Sequence, residues 1–156
     1  MRRITMKFMM LLKADKNTEA GKMPSEEIII AMGKYNEELI RAGVMLAGEG
    51  LQPSSKGARV RFAGGKTTVV DGPFAETKEL IAGFWMIQVK SKAEAVEWAK
   101  RVPFNPTGAS ALEGGVGEIE LRQVFEDADF SPELYPSEAA QETLKAEAEF
   151  RKRSGT

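Results

Sequence analysis

The chain contains no cysteine and no histidine. Without cysteine there is no disulfide, no thiolate nucleophile and no sulfur-ligated metal. Without histidine there is no Ser-His-Asp relay, no imidazole acid–base work near neutral pH and none of the usual zinc ligand sets. Proton transfer is left to Asp, Glu, Lys or Tyr. A metal site would be oxygen-only, of the kind that suits Mg, Ca or Mn. No spacing among the carboxylates is specific for a metal and no cofactor fingerprint is present, so neither group is expected. Charge of one sign is lacking too: 22 basic residues face 23 acidic ones, a net charge of −1. That balance gives no electrostatic reason to bind nucleic acid or an anionic membrane. No apolar run approaches the length of a membrane span.

What is present is one domain's worth of chain, 156 residues with 42% hydrophobic and 29% charged. That is enough to bury a core without staples. The start, Met1-Arg2-Arg3, mimics the basic region of a signal peptide. The apolar stretch behind it is interrupted by Lys7 and stops at Lys13, and no small-residue cleavage site follows. It therefore reads as a strand, and the expected compartment is the cytoplasm.

Local patterns give the order of elements. Met6 to Leu12 is a short apolar run that suits a strand buried on both faces. Residues 15 to 24 are polar and read as a loop. Ser25 opens a helix as its N-cap, followed by Glu26 and Glu27 at the positive end of the dipole. Ile28, Met32, Tyr35, Leu39 and Ala42 recur at helical spacing, and Gly43 supplies the stop. Val44 to Leu51 is extended, with Gly48 and Gly50 inside it.

Ala58 to Ala63 and Lys66 to Asp71 flank Gly64-Gly65, the glycine pair that a tight hairpin turn needs. That turn fixes the register. Val60 faces Val69 and Phe62 faces Thr67 on one side, with Asp71 carried onto the same side opposite Ala58. Arg59 and Arg61 take the other side. Ile81 to Val89 is the best central strand. Ser91-Lys92-Ala93-Glu94 is a capping box for a second helix with Ala95, Trp98, Ala99 and Val102 in its stripe. Residues 103 to 117 read as a loop and Glu118 to Val124 as a last strand. A polar helix from about Ser137 forms a C-terminal extension, which divides the chain into 1–126 and 127–156.

With the hairpin set aside, the order is βαββαβ, an α+β ferredoxin-like pattern. Such a sheet has both helices on one face and leaves the other uncovered, which makes face-to-face homodimerisation the natural remedy.

The segment with most chemistry in it is Asp71-Gly72-Pro73-Phe74-Ala75-Glu76-Thr77-Lys78-Glu79. Gly72-Pro73 dictates a sharp change of direction, Phe74 is an anchor, and charge gathers where a strand ends. This stretch resembles the signature of the DGPF-motif branch of the YCII-related proteins. The segments Gly48-Glu49-Gly50-Leu51-Gln52-Pro53, Ala82-Gly83-Phe84, Glu94 to Ala99 and Glu120-Leu121-Arg122 are similar to the same family pattern, over about residues 6 to 124. The resemblance implies a ferredoxin-like fold of the dimeric α/β-barrel type. It implies little about activity. Relatives in the wider superfamily have a His and an Asp in a proposed active site. With no His here, only Asp71 remains from that pair. Likeness to proteins associated with alternative sigma factors implies a regulatory setting.

Each candidate residue has a functional and a plain reading. Asp71 is a general acid/base or a turn aspartate that accepts backbone N–H groups. Glu49 is its carboxylate partner in a cleft, or a solvent-facing residue of a bulged strand. Glu76, Lys78 and Glu79 bind a polar ligand or form a solvated loop, and Thr77 is a cap or a ligand hydroxyl. Arg59, Arg61 and Arg122 anchor an anion if their strands are neighbours, or pair with Glu118 or Glu120. Tyr35, Met32, Trp85 and Trp98 sit in apolar stripes and read as core or interface. Two functions are consistent with this set. The first is a dimeric module that binds a small polar ligand or regulates. The alternative is a cofactor-free enzyme of the proton-transfer, isomerase or lyase type, with Asp71 as acid/base.

Overall fold

A computed structural model describes residues 4–104 and 117–155. Most of the 103–117 segment expected as a loop lies outside the described residues. The order of elements is β1 (Met6–Lys13), α1 (Lys16–Glu19), α2 (Glu26–Arg41), β2 (Met45–Gly50), β3 (Ala58–Ala63), β4 (Lys66–Asp71), β5 (Ile81–Val89), α3 (Lys92–Lys100), β6 (Ile119–Gln123) and α4 (Glu138–Ser154). Short 3-10 turns cover Ser54–Lys56, Thr77–Glu79 and Asp127–Asp129. None of the described helices is long and apolar enough to cross a membrane.

The three long helices start where side-chain oxygens meet free backbone donors. Ser25, Ser91 and Ser137 accept from Ile28 N, Glu94 N and Ala140 N at 3.3, 3.1 and 3.2 Å. At α3 the returning carboxylate overshoots, since Glu94 accepts from Lys90 N rather than from the Ser91 N–H. Gly43, at φ +69°, ends α2 in the left-handed region. Helix α1 lies in the segment expected to be loop. Its cap is local and reciprocal: Asp15 accepts from Thr18 N, and the Thr18 hydroxyl accepts from Asp15 N, both at 2.8 Å.

Four strands make one antiparallel sheet in the order β2-β5-β1-β6, and β3 and β4 pair separately as a two-stranded hairpin. Helices α2 and α3 supply Tyr35, Leu39 and Ala95 to the core, against Phe8 and Met10 of β1 and Trp85, Ile87 and Val89 of β5. Met10, Leu39, Ile87 and Val89 are the large side chains with essentially no exposure. Each contributes roughly 1.5–3 kcal/mol by leaving water. Tyr35 ties the two helices together, because its hydroxyl donates to Trp98 O at 2.8 Å.

Strand β1 is not buried on both faces as its composition suggested. Phe8 and Met10 face the helices and are buried, whereas Met9 and Leu11 point the other way and are half-buried. Register places Met9 opposite Met86 and Leu11 opposite Phe84, so the second face of the sheet carries a central apolar band that neither helix covers.

The hairpin has the register its glycines dictate. Gly64 and Gly65 sit at φ +58° and +74°, and Val60 pairs with Val69, Phe62 with Thr67 and Ala58 with Asp71. Both of its strands are exposed throughout. The apolar face that carries Asp71 is therefore open to solvent, with Phe62 78% exposed, and Asp71 is exposed as well.

Candidate functional site

The DGPF segment is a corner clamped from three directions. Gly72 N donates to Gly57 O at 2.9 Å, which closes the base of the hairpin. Phe74 N donates to Ser54 Oγ at 3.1 Å. The Arg59 guanidinium lies over the Phe74 ring, 3.9 Å from its centroid. Ser54 is itself held from α1: its hydroxyl donates to Glu19 Oε2 at 2.5 Å and its N–H reaches the same carboxylate at 3.2 Å. The Gly72–Pro73 peptide is cis. A chain of contacts thus runs from α1 through the 54–56 turn to Phe74 and into the hairpin.

The sequence candidates are dispersed across the fold. Asp71 and Arg59 lie on the hairpin. Glu76 and Lys78 are exposed in and beside the 3-10 turn that leads to β5, with Thr77 half-buried between them. The backbone of that turn is self-satisfied, with Glu79 N donating to Glu76 O and Leu80 N to Thr77 O. Arg122 is on β6, where it meets Glu120 at 3.4 Å while Lys13 approaches the same carboxylate at 3.7 Å. Strands β3 and β6 belong to different sheets, so Arg59 and Arg122 are not strand neighbours. Glu49, on the opposite sheet edge from Arg122, reaches a cleft whose lining does not include Asp71.

That cleft has a volume of about 570 Å3 and lies between the first half of α2, the end of β2 and the start of β5. Ile28, Ile29, Met32 and Trp85 give it apolar walls, and Lys22, Asn36, Glu49 and Gln52 supply polar groups. Its volume falls within the range of about 300–1,000 Å3 that small-molecule pockets occupy. Trp85 is fixed in place twice. Its indole Nε1 donates to Asn36 Oδ1 at 2.8 Å, and its ring meets Tyr35 edge-on at 5.8 Å. Gly48 makes room for it, since a Cβ there would sit 3.0 Å from Trp85 Cδ1 and 2.6 Å from Met45 Cε. The Gly-Glu-Gly segment is thereby explained on its first glycine by close approach.

Tyr35 does not serve as an acid or base near neutrality. Burial pushes its phenol up to about 12, against a lowering by Arg101, with Glu38 adding to the rise. Its proton is also committed to Trp98 O.

Reading for apolar stripes placed Trp85 in the core and passed over Asn36. The sequence does carry a signal for it. Asn36 stands four residues after Met32 and three before Leu39, so it is a polar residue at a stripe position of α2. Opposite it, Gly48 pairs with Trp85, the smallest residue facing the largest.

Fold and cleft together define the class, an α+β domain with a one-sided antiparallel sheet and a ligand-sized cleft beside its edge. The chain belongs to the YCII-related domain family, whose pattern matches residues 6–113. An uncharacterised protein of Rhizobium meliloti (strain 1021) is similar, at 34% identity over 80 residues. That match covers 51% of this chain and 64% of the relative's own length.

Proposed function

We propose that this chain is a homodimeric small-molecule-binding module of the DGPF-marked YCII-related branch, with the α2–β2–β5 cleft as its binding site. The cleft carries the reading: it combines ligand-sized volume, apolar walls and a few polar groups. The nine residues DGPFAETKE support the branch, and in this reading they act as the corner that holds the 54–56 turn beside the cleft rather than as a reaction centre.

The βαββαβ order with strands β2-β5-β1-β6 supports a ferredoxin-like fold. The uncovered face supports a dimer of the α/β-barrel type. Met9, Leu11, Phe84 and Met86 form an apolar band in the middle of that face, and pairing two such faces removes both from water. Light scattering after gel filtration is expected to give twice the 17.1 kDa chain mass. Met9→Asp should halve it without loss of helical signal. A wild-type monomer at micromolar concentration rejects the dimer.

Binding is tested by screening small polar and aromatic compounds for stabilisation of the chain against heat, in the wild type and in Ile29→Trp. Ile29 is a cleft residue that is 55% exposed, so the larger ring enters the cleft with little cost to the core. Compounds that stabilise the wild type and not the variant support the site. Hits that bind both equally place the ligand elsewhere.

A further inference from the structure

We infer that the cleft accepts a small ligand with an apolar body and an oxygen acceptor, and that the side-chain amide NH2 of Asn36 is the donor that orients it. The inference rests on the cleft being a binding site and adds which chemistry it selects. The indole N–H of Trp85 is a donor only, so the Asn36 atom 2.8 Å from it is the oxygen. The amide nitrogen must then point elsewhere, with two hydrogens to give. Among the described residues the Asn36 side chain makes no other hydrogen bond. Yet no enclosed side-chain nitrogen or oxygen is left without a partner among them, so this nitrogen reaches open space. Asn36 lines the cleft, which offers the nitrogen that space.

The residue's position adds weight. Asn36 occupies a stripe position of α2 where Leu would suit both the helix and the core. An acceptor for the indole accounts for its oxygen, and a ligand acceptor accounts for its nitrogen. Around it, Ile28, Met32 and the Trp85 ring offer apolar contact to the rest of the ligand. A donor in a mostly apolar cleft discriminates well, because a ligand without an acceptor strips water from the amide and gives nothing back.

The test uses acetophenone and ethylbenzene, which share a ring and differ in the carbonyl oxygen. Both are titrated into the full-length 15N-labelled protein while the Asn36 side-chain amide and Trp85 indole resonances are followed. Acetophenone should bind about fivefold or more tightly than ethylbenzene, as one net hydrogen bond allows, and should shift the Asn36 amide pair. In Asn36→Asp the carboxylate still accepts from the indole but nothing donates to the ligand. There the preference for acetophenone should vanish, and an unfolding midpoint close to that of the wild type shows that the fold is intact. Equal affinities in the wild type, with cleft resonances shifting for both compounds, overturn the role of Asn36 and leave the cleft as a binding site. A ketone preference that survives in Asn36→Asp overturns it too. No cleft shifts with either compound reject the cleft reading itself, and this inference with it.

Discussion

A β-carbon added to Gly72 would lie 1.8 Å from the carbonyl oxygen of Ser54. No side chain fits between these two residues, so the DGPF corner and the 54–56 turn form one packed unit. The glycine of the motif is required by a backbone eighteen positions away, not by its own torsion angles, since Gly72 is absent from the positive-φ glycines.

Gly72→Ala is therefore expected to destabilise the fold by about 3 kcal/mol, the upper range of overpacking against backbone. Gly50→Ala is the control, because nothing lies within 4 Å of the added carbon. Its effect should stay within about 0.5 kcal/mol. Urea unfolding midpoints of the two variants check the contrast, and equal midpoints would show that the corner yields freely.

Ser54→Ala removes the acceptor of the Phe74 N–H and the donor to Glu19. A cost of about 1–2 kcal/mol follows from the lost hydrogen bonds. The loss is expected to be local. Hydrogen exchange at the Phe74 amide should accelerate strongly while amides of β1 and β5 keep their protection. Uniform acceleration across the sheet would mean that the corner is integral to global stability.

Tyr35 makes stability depend on alkaline pH. Its folded pKa of about 12 lies above the ordinary value of 10.0, so folding favours the neutral phenol. The stabilisation is complete below pH 10, and it is lost as pH rises from about 10 through 12, because the unfolded chain releases the proton first. The comparison is with Tyr35→Phe, which leaves every other ionisable group in place. That variant should be about 1 kcal/mol less stable at pH 8, from the lost bond to Trp98 O. Its stability should fall less steeply above pH 10. Parallel pH profiles would contradict the burial argument.

Removal of residues 127–156 is expected to leave the sheet and its two packed helices folded. Helix α4 contributes no buried residue. It is held to its own approach segment by the Arg151–Asp127 ion pair and by Gln141 Nε2 donating to Tyr135 O. Glu126, which accepts from Lys7 N at 3.0 Å, stays with the shortened chain. Circular dichroism and an unfolding midpoint within about 1 kcal/mol of the full chain check this.

Features set by neighbours in sequence were legible in the sequence. Caps at Ser25, Ser91 and Ser137 act over three residues, and the left-handed Gly64-Gly65 pair fixes every partner across the hairpin. The apolar stripe of α2 needed only helical spacing to point Ile28, Tyr35 and Leu39 inward. Helix α1 was missed because four residues give no periodicity, although its Asp15–Thr18 cap was in view.

Tertiary structure alone decided what stands beside what. Period-two alternation placed Asp71 on the apolar face of the hairpin but said nothing of whether that face is covered, and it is open. Glu49 and Asp71 both end strands near glycines, yet only Glu49 reaches the cleft, because β3 and β4 pair apart from the main sheet. The meeting of Asn36 with Trp85 joins residues 49 positions apart. Short-range patterns act through torsion angles and hydrogen bonds within a few residues, whereas clefts and corners arise when packing brings distant segments together. Short-range patterning set the helix caps, the hairpin register and the inward stripe of α2; the closing of the elements on one another decided which faces were covered and which polar groups were left facing a cavity.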